Sequence, residues 1–163
     1  LQALAPATAS STVQVLNWMG YEARISRFYE GMPVLYVAGL PGPPPAIAWG
    51  CAGVQSLFIY TFTILLFLKY RTFSLVRKII YVTGGAIGTF IINVLRIVSY
   101  CLIGVNTGRP AADVFHKYYG ELYFIAWIIA YVLIITYGGY ILIRMSVLVS
   151  KLKEPLVSYR RTT

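Results

Sequence analysis

The chain has 163 residues, of which 58% are hydrophobic and only 12% charged, and its mean hydropathy is +0.70. A water-soluble domain has no interior large enough to hide that much apolar surface, so composition excludes that class and points to an integral membrane protein. The net charge of +9 would raise nucleic acid as a partner of a soluble domain. Here the cations are explained by membrane topology, and no nucleic-acid partner is expected.

The chain opens at Leu1 without an initiator Met. The expectation is therefore a fragment or processed form, with the total number of spans left open. Residues 1–20 lack the basic start and sustained apolar core of a signal peptide. Thr12–Met19 reads as the end of an upstream helix or as an interfacial one. Tyr21–Phe28 alternates, with Tyr21, Ala23, Ile25 and Arg27 expected on one face, and Met32–Ala38 is a second β-prone stretch. Tyr29-Glu30-Gly31 between them is turn chemistry, so a small hairpin is expected. The run Leu40-Pro41-Gly42-Pro43-Pro44-Pro45 cannot be a helix interior and should be extended. It delivers the chain to the first long apolar run.

A helix needs ~20 apolar residues to cross a bilayer, and three runs meet that length. They are roughly Ile47–Leu68, Ile79–Val105 and Tyr118–Ile143. The fold class expected is an all-α polytopic membrane protein with three transmembrane helices and a small non-cytoplasmic β-hairpin. Residues 1–46 would form the outer N-terminal segment, 47–145 the membrane domain and 146–163 a basic tail. Orientation follows from Lys and Arg in the flanks. The 69–78 connection carries Lys69, Arg71, Arg77 and Lys78, and the C-terminal segment carries Arg144, Lys151, Lys153, Arg160 and Arg161. Both are expected in the cytoplasm. The 106–117 connection has only Arg109 and Lys117 and is expected outside. Tyr and Trp near the run ends, among them Trp49, Tyr100 and Tyr118, fit interfacial belts. Gly84 and Gly88 form a small-xxx-small pair suited to close helix packing.

Three residues near the outer ends of these runs carry chemistry. Cys51 is expected in the first turns of its helix, where free N–H groups favour thiolate, and Ala52 and Gly53 would leave room for a substrate backbone. Read alone, it is a small apolar residue in a membrane helix. Arg96 is a guanidinium inside a span, which costs at least ~2.5–3.5 kcal/mol on insertion scales and is functional by default. Asn93 shares its face one turn away. The plain alternative is an Arg that snorkels to headgroups. His116, the only histidine, suits general acid–base work near neutral pH, with Asp113 or Glu121 to orient it. Alone, it reads as a solvated loop histidine. A Cys51–Cys101 disulfide competes with the thiol reading. Helix phase opposes it, because Cys101 lies ~140° around the helix from Arg96.

Cys51-Ala52-Gly53-Val54-Gln55-Ser56 resembles the Cys-small-Gly-x-x-Ser segment of the exosortase/archaeosortase family. Asn93-Val94-Leu95-Arg96 resembles its Asn-x-x-Arg helix, and His116 stands where that family has its histidine. The likeness covers about residues 20–145. It implies a membrane cysteine protease or transpeptidase of sortase-like logic, with no metal and no cofactor. Such a protein cleaves substrate proteins that end in a recognition motif, a membrane helix and a basic tail, then transfers the new C-terminus to an acceptor, thought to be a lipid in archaea. By the resemblance Cys51 is nucleophile, His116 acid/base and Arg96 the group that holds the carbonyl, with Asn93, Gly53, Ser56 and Asp113 in support. The expected site is a cell membrane, multi-pass, with the catalytic face non-cytoplasmic. Family members usually have more spans, so a catalytic C-terminal part or a non-catalytic subunit of a larger membrane complex is also open. A small transporter with Arg96 on an anion path lacks a second intramembrane charge.

Overall fold

The computed structural model describes residues 4–47 and 53–138. Cys51 and Ala52 lie outside the described residues, as do Trp49 and the tail expected at 146–163. Residues up to Ile128 form one compact unit, and a second unit begins at Ile129.

Helix α1 (Leu4–Trp18) buries Ala5, Thr8, Ala9, Thr12 and Leu16, a single face at helical spacing. Most of these side chains are small, so α1 can lie close against a neighbouring helix. The hydroxyl of Thr12 donates back to the Thr8 carbonyl at 2.8 Å, so this buried hydroxyl is satisfied. The chain reverses at Gly20, whose φ is +87°. The Asn17 side-chain oxygen accepts from the Ala23 amide at 2.9 Å, tying the next element to the end of α1.

That element is the expected hairpin. Strand β1 (Ala23–Tyr29) pairs antiparallel with β2 (Met32–Val37). Glu30 and Gly31 form the two-residue turn with φ of +48° and +77°, the left-handed pair that matches strand twist. An extra residue between Ile25 and Arg27 interrupts the register. The alternation expected to put Arg27 on the face of Ala23 and Ile25 therefore fails, because a bulge shifts the following side chains. The proline-rich run is not helical, but it bends at Gly42, with φ of +87°, so only its end is extended. It pairs with the other edge of β2 through Leu35 N–H to the Pro45 carbonyl and Ile47 N–H to the Pro33 carbonyl, both 2.9 Å.

Three helices follow: α2 (Val54–Lys69), α3 (Leu75–Thr107) and α4 (Arg109–Gly138). Only α3 and α4 are long and apolar enough to cross a membrane, at 33 and 30 residues. Helix α2 has 16 residues and starts at Val54, seven positions later than the apolar run suggests. Ile47 instead belongs to the extended segment beside β2. The 106–117 connection is not a loop. Gly108, with φ of +97°, breaks the chain direction, Pro110 sits in the first turn, and α4 is already helical from Arg109.

Isoleucine and leucine side chains face outward along these helices, among them Ile79, Ile87 and Ile91 on α3 and Leu122 and Ile125 on α4. Only 33% and 11% of the apolar windows of α3 and α4 are buried by protein. Helices this apolar and this uncovered need hydrocarbon as their solvent. Where helices do touch, fit is close. A Cβ at Gly88 would overlap the ring of Trp127, so the indole of α4 fills the notch this glycine leaves in α3. The Trp127 indole N–H donates to the Thr89 hydroxyl at 3.1 Å, and that hydroxyl donates to the Gly85 carbonyl at 2.8 Å. Tyr60 of α2 donates to the carbonyl of Val82 at 2.9 Å. Leu16, Leu35, Val37, Ile47, Val94, Val98 and Cys101 make the core that joins α1 and the hairpin to the C-terminal half of α3.

Candidate functional site

The site residues of α3 follow from helix phase. Val94, Val98 and Cys101 turn into the core with α1 and the hairpin. Asn93 and Arg96, one turn apart, leave that core face. They line a tight recess with Ser56 of α2 and with Thr89, Tyr123 and Phe124. Three sequence-derived candidates, Ser56, Asn93 and Arg96, thus meet in one place.

Two glycines make that meeting possible. Gly53 is the N-cap of α2 with φ of +89°. A Cβ there would lie 2.8 Å from Cγ of Asn93, so the Asn93 side chain, only 4% exposed, rests directly on the glycine backbone. Asn93 therefore occupies the side of Gly53 where a Cβ would stand, and Gly53 also lines an apolar cavity with Leu57, Ile87 and Phe90. Gly120 of α4 does the same for Arg96. Its Cβ would lie 3.4 Å from the Arg96 Cδ, so the arginine stem passes across this bare patch of α4. Nothing in the sequence reading marked Gly120. A lone glycine inside an apolar helix is a signal of close approach.

His116 stands four residues before Gly120, within a π turn at Phe115–Tyr119 that bulges α4. Such bulges recur at functional sites. It is exposed and lies within electrostatic reach of both Arg96 and Asp113. Asp113 is linked to it through Tyr100, a residue expected from the sequence in an interfacial belt. The Tyr100 hydroxyl donates to Asp113 Oδ1 at 2.9 Å. The Tyr100 ring meets the His116 ring edge-on, with centroids 5.8 Å apart at 73°.

Tyr100, Asp113 and His116 line a cleft of about 230 Å³ together with Arg109. Its apolar wall is Leu35, Pro45, Ala46, Ile47 and Ile97. The guanidinium of Arg109 donates to the Pro43 carbonyl, and Gly42 gives its side chain passage. The proline-rich segment is thereby fixed over α4. The described residues on either side of Cys51 are each committed: Ile47 to the His116 cleft, Gly53 to Asn93. Cys101 carries a free thiol, fully buried in the core and turned away from this region.

These side chains can supply an acid–base group, a cation and hydrogen-bond donors beside an apolar cleft. A family model described as transmembrane exosortase matches residues 1–134. No curated protein and no solved structure matches the chain.

Proposed function

The chain belongs to the transmembrane exosortase family, and from that premise we propose that it is a membrane cysteine protease or transpeptidase. It cleaves the C-terminal sorting signal of a membrane-anchored substrate protein at the non-cytoplasmic surface. It then passes the new C-terminus to an acceptor, with a membrane lipid as the acceptor class. The observation that carries this reading is the bracketing of Cys51. Two trans peptide links hold its Cα within about 7.6 Å of that of Gly53, which rests on Asn93. Four residues upstream of it, Ile47 walls the His116 cleft.

Depth supports the same reading. About 20 helical residues fill the ~30 Å hydrocarbon layer. Counted from the basic pair Arg77 and Lys78, the far boundary falls near Val98. Arg96 then sits just inside it, where its head reaches the interface, and Tyr100 lies just above it. Gly53, level with Asn93, starts α2 about 7–8 Å below that boundary on the same 1.5 Å rise, which accounts for the shortness of α2. On this ruler the 16-residue α2 runs through the inner part of the layer, and the basic 69–78 connection lies on the cytoplasmic side.

In the reaction, His116 takes the Cys51 proton and the thiolate attacks the scissile carbonyl carbon. A C–S bond forms while Arg96 balances the charge that gathers on the carbonyl oxygen. The C–N bond breaks, the imidazolium returns its proton to the leaving amine, and a thioester remains. An acceptor hydroxyl or amine, deprotonated by His116, attacks the thioester and frees the thiol. The substrate's basic tail stays inside by the same charge rule that orients the enzyme, which holds its scissile bond at the outer surface.

The test is processing of a co-expressed reporter that ends in a sorting motif, membrane helix and basic tail. Cys51→Ala and His116→Ala are expected to leave it uncleaved, and Cys51→Ser to accumulate no thioester. Normal processing by Cys51→Ala would overturn the reading and favour a non-catalytic subunit of a membrane complex.

A further inference from the structure

Resting on the acid–base role proposed for His116, we infer that Tyr100 is its positioning residue and acts through two separate contacts. The phenol hydroxyl holds Asp113, and the ring edge braces the imidazole.

The π turn sets the backbone of His116, and the orientation of its ring depends on the side chains packed against it. Acid–base transfer needs the ring held within hydrogen-bond reach of its partner. The groups around His116 come from three directions. Helix α3 offers Arg96 and Tyr100, and α4 itself offers Asp113 and Arg109. Strand β2 and the 45–47 segment offer only apolar side chains. Of these, Tyr100 makes the ring contact and also donates a 2.9 Å hydrogen bond to Asp113. Asp113 is exposed and belongs to the same helix as His116. Without the phenol its carboxylate would be free to turn to water. Tyr100 sits on the rigid α3, four residues beyond Arg96, so it fixes the acid–base group in the same frame as the cation. Tyrosine suits this place because its body is flat and apolar while its tip donates.

His116 is the only histidine of the chain, so its ring resonances are free of overlap and need no substrate to be read. The experiment is histidine-selective NMR of the full chain in phosphatidylcholine–phosphatidylglycerol nanodiscs, titrated with pH. Tyr100→Phe keeps the ring and removes the hydroxyl. It is expected to retain the ring-current shift of the imidazole while changing its proton affinity about two- to tenfold, the range of a hydrogen bond's net effect. Asp113→Asn is expected to change it as well, and the double variant should differ little from Asp113→Asn alone, since both act through one bond. Tyr100→Leu should also abolish the ring-current shift. A Tyr100→Phe titration that overlays the unaltered chain overturns the inference, as do fully additive changes. Neither outcome touches the proposed reaction, which stands or falls on Cys51→Ala processing.

Discussion

Replacing Gly53 with Ala tests whether close approach to Asn93 builds the site. The new methyl would stand 2.8 Å from both Cγ and Nδ2 of Asn93 and 3.2 Å from its Cβ. Asn93 is 4% exposed, so it can yield only toward the apolar cavity that it lines with Gly53, Leu57 and Phe90. The left-handed backbone at φ +89° costs an alanine about 1–2 kcal/mol. Overfilling a packed seam adds about 1–3 kcal/mol, so the sum is about 2–5 kcal/mol. Gly31 supplies the control. Its φ is +77°, but nothing lies within 4 Å of a Cβ there, so Gly31→Ala carries only the backbone part. Both variants would be melted in nanodiscs, and the rate at which an externally applied, membrane-impermeant maleimide labels Cys51 would be followed. Gly53→Ala is expected to melt earlier than Gly31→Ala and to change the labelling rate, while Gly31→Ala leaves labelling alone. Equal melting of the two variants with unchanged labelling of Cys51 would refute the argument.

Other expectations follow from the same contacts. Arg96→Lys keeps the charge and an aliphatic stem across Gly120 but loses the planar guanidinium fork. Reporter processing should fall about 10²–10³-fold, the usual cost of a lost oxyanion donor, with little change in melting. Gly88→Val would drive a side chain into the Trp127 indole. It should separate α3 from α4 and red-shift tryptophan emission as the Thr89 hydrogen bond is lost. Tyr60→Phe removes the donor to the Val82 carbonyl and should cost about 1 kcal/mol, seen as lower melting without loss of processing. Cys101, fully buried, should resist the maleimide that labels Cys51, and a Cys101→Ala chain should label identically.

The sequence carried the membrane class, the hairpin and α3 because each rests on a local signal. Alternation around a Glu-Gly turn marks a hairpin, and an apolar run marks a buried or lipid-covered helix. It misplaced His116 in a loop for a physical reason. Gly108 and Pro110 are signals for ending one helix, and here they equally start the next. A helix that rises past the bilayer can carry Asp113, His116 and Lys117 without apolar neighbours. The early start expected for α2 failed because hydropathy does not distinguish a helical residue such as Val54 from Ile47, which is hydrogen-bonded to Pro33. The seating of Asn93 on Gly53 and of Arg96 on Gly120 needs the relative placement of three helices, which no spacing encodes. Tyr100 was hidden by its own ordinariness, since a tyrosine near a span end is expected at the interface whatever else it does.

Cross-linking measures the central claim directly. In a Cys101→Ala background, His116→Cys is paired with native Cys51 under mild oxidation in membranes. A disulfide requires Cα atoms within about 7 Å and converging Cβ vectors, close to the geometry a thiol–imidazole pair needs. The account predicts a rapid intramolecular cross-link. Failure to form it, with both thiols open to external maleimide, would contradict a catalytic Cys51–His116 pair.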